Sequence, residues 1–372
     1  MRLSDIATLA TACTLTTGLL AAPGASAAAP DDRSASPVVR LLPDRGSPVR
    51  AAEVPVTTGS PQRTSTYSMV GLTWHGAAPE LRVRARGTDG WGAWLHPEVL
   101  DDGPDGAETS RVRATQPLWV GPSDGIQVDA RGTGYRDLEL VLIDPGVLAS
   151  DRASAATPTG TASRAVAPES ERAPRPALLS RKKWGADPSW RNGSPVYNRG
   201  LRQVHVHHTA TGNSYSRADV PAILRGMYRY HTKNLGWFDL GYNFVVDKFG
   251  RAWVGRSGGV SRLVRGAHTL GFNHSSVGIA VIGNFESARP TQKALTTVVR
   301  LAAWKLDRHR RDAQGRVVVT SEGSDRYAAG RSVRLFVISG HRATNETACP
   351  GELLHERLPA VRRRAQQRID RY

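Results

Sequence analysis

Across residues 61–148 the apolar positions come in short runs, many of them alternating with polar ones, at 67–73, 81–86, 91–96, 117–120, 126–130 and 138–143. Alternation puts every second side chain on one face of a strand. Turn-forming clusters punctuate the runs: Gly87-Thr88-Asp89-Gly90, Asp101-Asp102-Gly103-Pro104 and Gly121-Pro122-Ser123-Asp124-Gly125. The pattern predicts a small all-β, sandwich-like domain over 61–148. Its Trp74, Trp91, Trp94 and Trp119 suit either core filling or stacking on sugar rings. Residues 28–60, rich in Pro, Ala, Ser and Arg, read as a disordered leader, and 149–177, with no apolar period, as a flexible linker.

Beyond residue 178 the period changes. Runs at 203–208, 242–247, 252–255, 277–282 and 334–339 read as strands. Residues 216–231 keep a helical spacing through Val220, Ile223, Met227 and Tyr230, opened by a capping box of Ser216 and Asp219. Residues 291–305 repeat that spacing with Leu295, Val298 and Ala302, and a last helix is expected from Pro350. Interleaved strands and helices predict an α/β domain over 178–372, a mixed central sheet flanked by helices.

The first 27 residues carry Arg2, an apolar run through Leu20 and the small-x-small tripeptide Ala25-Ser26-Ala27, the pattern of a secretory signal peptide. No later segment reads as a membrane span. The signal makes an exported, extracellular protein the expectation. The net charge is +17 over 372 residues. On an exported protein that charge points to anionic wall polymers or phospholipid headgroups rather than nucleic acid, although an Arg-rich surface that is merely soluble also fits. Of the two cysteines, Cys13 lies in the signal, which leaves Cys349 without an internal disulfide partner. Metal ligation explains an unpaired exported thiol.

The chemistry gathers in two places. In the strand Val204-His205-Val206-His207-His208-Thr209, His205 and His207 share a face and His208 takes the other. In Gly340-His341 through Cys349-Pro350-Gly351, a His and a Cys share one loop, and the helix expected at Pro350 would favour a thiolate. Two His and one Cys leave a fourth position open, the composition of a catalytic Zn²⁺ site rather than a closed structural one.

These segments, with Arg181-Lys182-Lys183-Trp184-Gly185, Leu235-Gly236-Trp237, Gly241-Tyr242-Asn243, Gly266-Ala267-His268 and Gly271-Phe272-Asn273, resemble the type-2 N-acetylmuramoyl-L-alanine amidases and the related peptidoglycan recognition proteins over about 178–360. The resemblance implies a zinc amidase that cuts the lactyl–L-alanine bond of bacterial peptidoglycan, or else a module that binds muropeptides without cutting. It implies one zinc held by His207, His341 and Cys349. Tyr242 and Thr347 would be catalytic, Thr347 as a polar residue beside the metal that orients the water or the amide. His231, Gly236, Trp237, His268 and Asn273 would contact substrate. Gly236-Trp237 is the pair that goes with diaminopimelate-type stem peptides, with Arg251 or Arg256 as a further carboxylate partner. Some relatives carry a glutamate base where this chain has Ala280, so the proton acceptor is not assigned.

Overall fold

A computed structural model describes residues 38–108, 112–155 and 172–372; the signal peptide expected over 1–27 lies outside them. The first domain holds strands β1 (Leu42–Pro43), β2 (Arg50–Pro55), β3 (Gln62–Gly76), β4 (Glu80–Gly87), β5 (Gly90–Trp91), β6 (Arg113–Ala114), β7 (Leu118–Arg131) and β8 (Tyr135–Asp144). They pair in the order β1-β2-β8-β3-β7-β4-β5, with β6 on β3. The leader expected over 28–60 is thus, from residue 38, part of the sheet. Proline and arginine hid a strand whose Ala51 and Ala52 are buried and whose six residues pair with β8. The turn expected at Gly121–Gly125 lies inside β7, and the strand expected at 91–96 shrinks to Gly90–Trp91. Trp74 and Trp119 are buried, whereas Trp91 and Trp94 lie outside the core beside Arg84.

Helix α1 (Ala149–Ala155) replaces the start of the expected linker, with Asp151 and Ser154 buried; residues 156–171 lie outside the described ones. The second domain follows as β9 (Leu178–Leu179), β10 (Gln203–His208), α2 (Asp219–Arg229), β11 (Phe244–Val246), β12 (Ala252–Val254), β13 (Ser276–Val281), α3 (Gln292–Asp307), β14 (Arg316–Thr320), β15 (Ser332–Phe336), β16 (Ile338–Gly340), α4 (Glu352–His355) and α5 (Leu358–Ile369). A mixed sheet runs β16-β10-β13-β11-β12-β9, and β14 with β15 forms a separate hairpin. The Asp219 carboxylate accepts the Ser216 amide at the start of α2, and Thr291 caps α3 through the Ala294 amide. The helix expected at Pro350 begins at Glu352 instead, behind Gly351 at φ 83°.

Period-2 burial decides how the domains meet. Along β8, Leu140 and Leu142 face the first domain's own core, while Val141 and Ile143 face the other way. That second face, with Met69 of β3, packs against Val220, Ile223 and Met227 of α2, which also lines the mixed sheet. Helix α2 is therefore shared between two sheets, and α3 and α5 cover the far face of the second. Two glycines permit the close approach: a Cβ at Gly226 would lie 2.8 Å from Met69 Sδ, and one at Gly71 would lie 2.5 Å from the Tyr230 ring.

Arg225 of α2 ties the junction. Its guanidinium, 1% exposed, donates to both oxygens of Asp151 and to the carbonyls of Pro145, Gly146 and Trp184. Removing it strands a buried carboxylate, which typically costs about 3–5 kcal/mol. Arg225→Ala is expected to lose stability on that scale in urea unfolding. A paired Arg225→Met, Asp151→Ala variant, which leaves no orphaned charge, should lose far less.

A buried donor cluster as candidate metal centre

β10 and β16 are parallel neighbours with Val206 opposite Gly340, which sets His207 beside His341 where these strands end. Their rings lie 4.7 Å apart. The loop after β16 folds back so that the Arg342 amide donates to the Cys349 carbonyl and the Cys349 amide donates to Thr347 Oγ1. Cys349 Sγ then sits 3.7 Å from His207 Nδ1. Ligand atoms of His207, His341 and Cys349 all fall within 4.8 Å of one another. The residues are 0, 1 and 4% exposed. Burial lowers both imidazoles to about 3, so they are neutral, with lone pairs available. Burial, then the Asp102 carboxylate, pushes the Cys349 thiol up.

A fourth donor arrives from the other domain. Asp102 Oδ1 lies 3.2 Å from His341 Nδ1 and 3.5 Å from His207 Nδ1 and accepts no hydrogen bond. Zinc bonds of ~2.0–2.1 Å to N or O and ~2.3 Å to S place tetrahedral donors roughly 3.3 Å apart, or roughly 3.6 Å for an N–S pair. The His207–Cys349 separation and the two Asp102–imidazole separations are of that size. Neutral imidazoles, a thiol and an orphaned carboxylate oxygen form a donor set that suits Zn²⁺.

Tyr242, 1% exposed, donates its phenol proton to Asp102 Oδ2, and its ring lies 5.4 Å from that of His207. Burial and then the Asp102 charge raise its pKa, which keeps it a proton donor. Thr347 is half-buried, and its hydroxyl oxygen accepts the Cys349 amide beside the cluster.

The residues expected at substrate divide. His268 sits behind His207, its Nδ1 3.1 Å from His207 Nε2, with a Cβ at Gly278 falling 2.5 Å from its ring. It is fully buried and buttresses His207. Asn273 holds the amides of His268 and Thr269 through Oδ1 and turns its Nδ2 to the Gly103 carbonyl. His231 is buried, accepts the Gly241 amide and stacks on Trp237 at 4.5 Å. Trp237 is 2% exposed core, and Gly236, at φ 71° and exposed, makes the left-handed turn that leads into it. The next amide is the one that binds: Phe238 N–H donates to Glu108 Oε1, and Arg256 pairs with Glu108 Oε2. Arg251 is consumed by Asp247 and by the carbonyls of Ser154 and Arg217. Ala280 lies opposite His207 on β13, so no carboxylate reaches the cluster from that strand.

Sequence reasoning missed Asp102, Glu98, Asp105 and Glu108. Their only local signal was a turn-like Asp-Asp-Gly-Pro, and Asp102 meets Tyr242 across 140 residues of chain.

Comparison with known proteins finds similar families for both domains. Residues 24–171 match the Rv3811 N-terminal galactose-binding domain-like family, and residues 197–352 match the N-acetylmuramoyl-L-alanine amidase family. A human N-acetylmuramoyl-L-alanine amidase is 34% identical over 187 residues, 49% of this chain and 28% of that protein. Peptidoglycan-recognition protein SA of Drosophila melanogaster is 36% identical over 128 residues, 34% of this chain and 60% of that protein. The chain thus spans less than two thirds of the length of either relative. The structure of wild-type Drosophila PGRP-LB aligns at 28% identity over 50% of this chain and 93% of its own, with a TM-score of 0.39. The first domain is thus similar to the galactose-binding-like family, and the domain carrying the donor cluster is similar to the N-acetylmuramoyl-L-alanine amidases and peptidoglycan-recognition proteins.

Proposed function

We propose that this chain is a secreted, zinc-dependent N-acetylmuramoyl-L-alanine amidase that hydrolyses the lactyl–L-alanine amide of peptidoglycan. The observation that carries the reading is the convergence of His207, His341 and Cys349 within 4.8 Å, beside the buried phenol of Tyr242. A module that only binds muropeptides has no use for a buried donor set of this kind. The signal-like N-terminus supports export, and among the described residues no helix is long and apolar enough to cross a membrane.

A zinc ion on these ligands would supply Lewis acidity and lower the pKa of a coordinated water toward ~7. His268 holds His207 in one tautomer and orientation. Tyr242, kept protonated by burial, donates to the lactyl carbonyl oxygen as negative charge develops there. The water oxygen bonds to the carbonyl carbon, the C–N bond breaks, and the departing L-alanine amine takes up a proton.

The stem peptide is read, in this proposal, by Arg256 and the Phe238 amide. Both already hold a carboxylate, that of Glu108, and a diaminopimelate-type peptide offers one more carboxylate than a lysine-type one. Anionic wall polymers remain a proposed partner of the Arg-rich surface.

Chelator-treated protein should lose amine release from purified peptidoglycan and regain it with zinc. Cys349→Ser should lose both metal, measured by elemental analysis, and turnover; His268→Ala should weaken zinc about 10–100-fold in a chelator competition. A metal-free preparation with full activity would refute the zinc requirement. Tyr242→Phe should keep its zinc while kcat falls on the order of 10²–10³; an unchanged rate removes Tyr242 from the chemistry. Arg256→Gln should cut kcat/KM on diaminopimelate-type muropeptides by about 10–100-fold, the worth of a charge-assisted hydrogen bond, and leave lysine-type substrates nearly unaffected. Equal losses on both would show that Arg256 does not select the stem.

A further inference from the structure

We propose that Asp102 is a fourth ligand of this metal site and that residues 98–108 are a built-in plug, occupying the substrate groove and keeping the enzyme latent. The inference rests on reading the cluster as a metal site.

The contacts run along the whole segment. Glu98 pairs with His208 at 2.9 Å. Asp102 puts one oxygen on the donor cluster and gives the other to Tyr242. The Gly103 carbonyl accepts from Asn273 Nδ2 at 2.8 Å, Asp105 accepts the Gly271 amide at 2.7 Å, and Glu108 takes the Phe238 amide together with Arg256. The groups proposed to bind substrate are thus satisfied in cis by atoms of the same chemistry. A carboxylate oxygen stands where an oxyanion would meet Tyr242, and a side-chain carboxylate stands where a stem-peptide carboxylate would meet Arg256.

The segment is also held from its own side. Leu100 donates to the Ala114 carbonyl, Gln116 donates to the Glu98 carbonyl, and Gln116 Nε2 steadies Asp102 Oδ2 at 3.1 Å. Asp102 is therefore presented by the first domain as a fixed group, 1% exposed, with Oδ1 left unpartnered and aimed at the cluster.

A different role for Asp102, accepting a proton from an attacking water, requires that water to lie between it and the metal. The 3.2 and 3.5 Å separations from the two imidazoles are those of a ligand vertex rather than of a group one water further out. Catalytic zinc sites keep one position open, and here the protein fills it.

The test uses the full chain loaded with cobalt(II), its visible absorption titrated with azide, alongside hydrolysis of a soluble muramyl peptide. In Asp102→Ala, azide should perturb the cobalt bands at concentrations at least tenfold lower than in the unsubstituted chain, and hydrolysis should rise at least tenfold. Glu108→Gln, at the far end of the segment, should move both readouts the same way by less, and it carries the test if Asp102→Ala does not fold. Equal azide responses in the unsubstituted chain and the variants would overturn the plug. So would loss of hydrolysis in Asp102→Ala with its cobalt spectrum and azide response unchanged, the signature of a proton acceptor. If azide distinguishes the chains but none of them hydrolyses the peptide, the plug stands and the amidase reading fails.

Discussion

A carboxylate removed from water must be compensated where it lies. Asp102 is 1% exposed, and only one of its oxygens has hydrogen-bond donors, from Tyr242 and Gln116. The other faces two neutral imidazoles and a thiol. The desolvation penalty for such an ion is several kcal/mol even after relaxation. A cation on the shared donors removes that imbalance at once, because it attracts the carboxylate and favours the thiolate form of Cys349. The architecture of both domains can be understood as what brings these four side chains to one point.

Bringing them there takes a rigid joint. Helix α2 buries one side on the mixed sheet that carries His207 and His341, and the other on Met69, Val141 and Ile143 of the first domain. The same core that positions α2 therefore fixes β3 and β7, and with them the segment that begins at Glu98. The glycines at 71 and 226 let the layers meet at distances a Cβ would forbid. Arg225 and Arg229 add charged anchors on that helix, to Asp151 and to Asp44 and Glu53. A flexible tether would let the segment leave the groove; a joint with a shared core keeps it there.

What could be read without the structure follows the range of each signal. The His207 strand, the α2 spacing and the Gly340–Cys349 loop are local patterns, and each named its element. The grouping of His207, His341 and Cys349 is carried by two local motifs, and the structure brings the three within 4.8 Å. Gly236-Trp237 reads the same in either role, because a glycine at φ 71° leading into a buried tryptophan produces the same dipeptide as a binding surface would. The helix expected at Pro350 failed because Gly351 delays it. Residues 38–60 looked like leader because prolines and arginines interrupt a strand that is recognisable only from its partner, β8. Asp102 and Glu108 were illegible for the same reason in stronger form: acidic residues in a turn look solvated, and nothing nearby reveals that the surface they meet is another domain.

The chemistry of the plug constrains what can displace it. An intramolecular ligand competes at an effective concentration of about millimolar even on a flexible tether, and this one is preoriented by Gln116 and a shared core. A small muropeptide that makes the same few contacts gains little over Asp102 and Glu108, since every contact it forms replaces an equivalent one. A substrate prevails only with contacts the plug lacks, and an extended glycan with many stem peptides has them. Further engagement of the polymer, including by the galactose-binding-like domain from which the plug itself is built, would make release intramolecular as well. Under the proposed plug, latency by imitation would therefore favour polymer over fragment, without any group dedicated to measuring length.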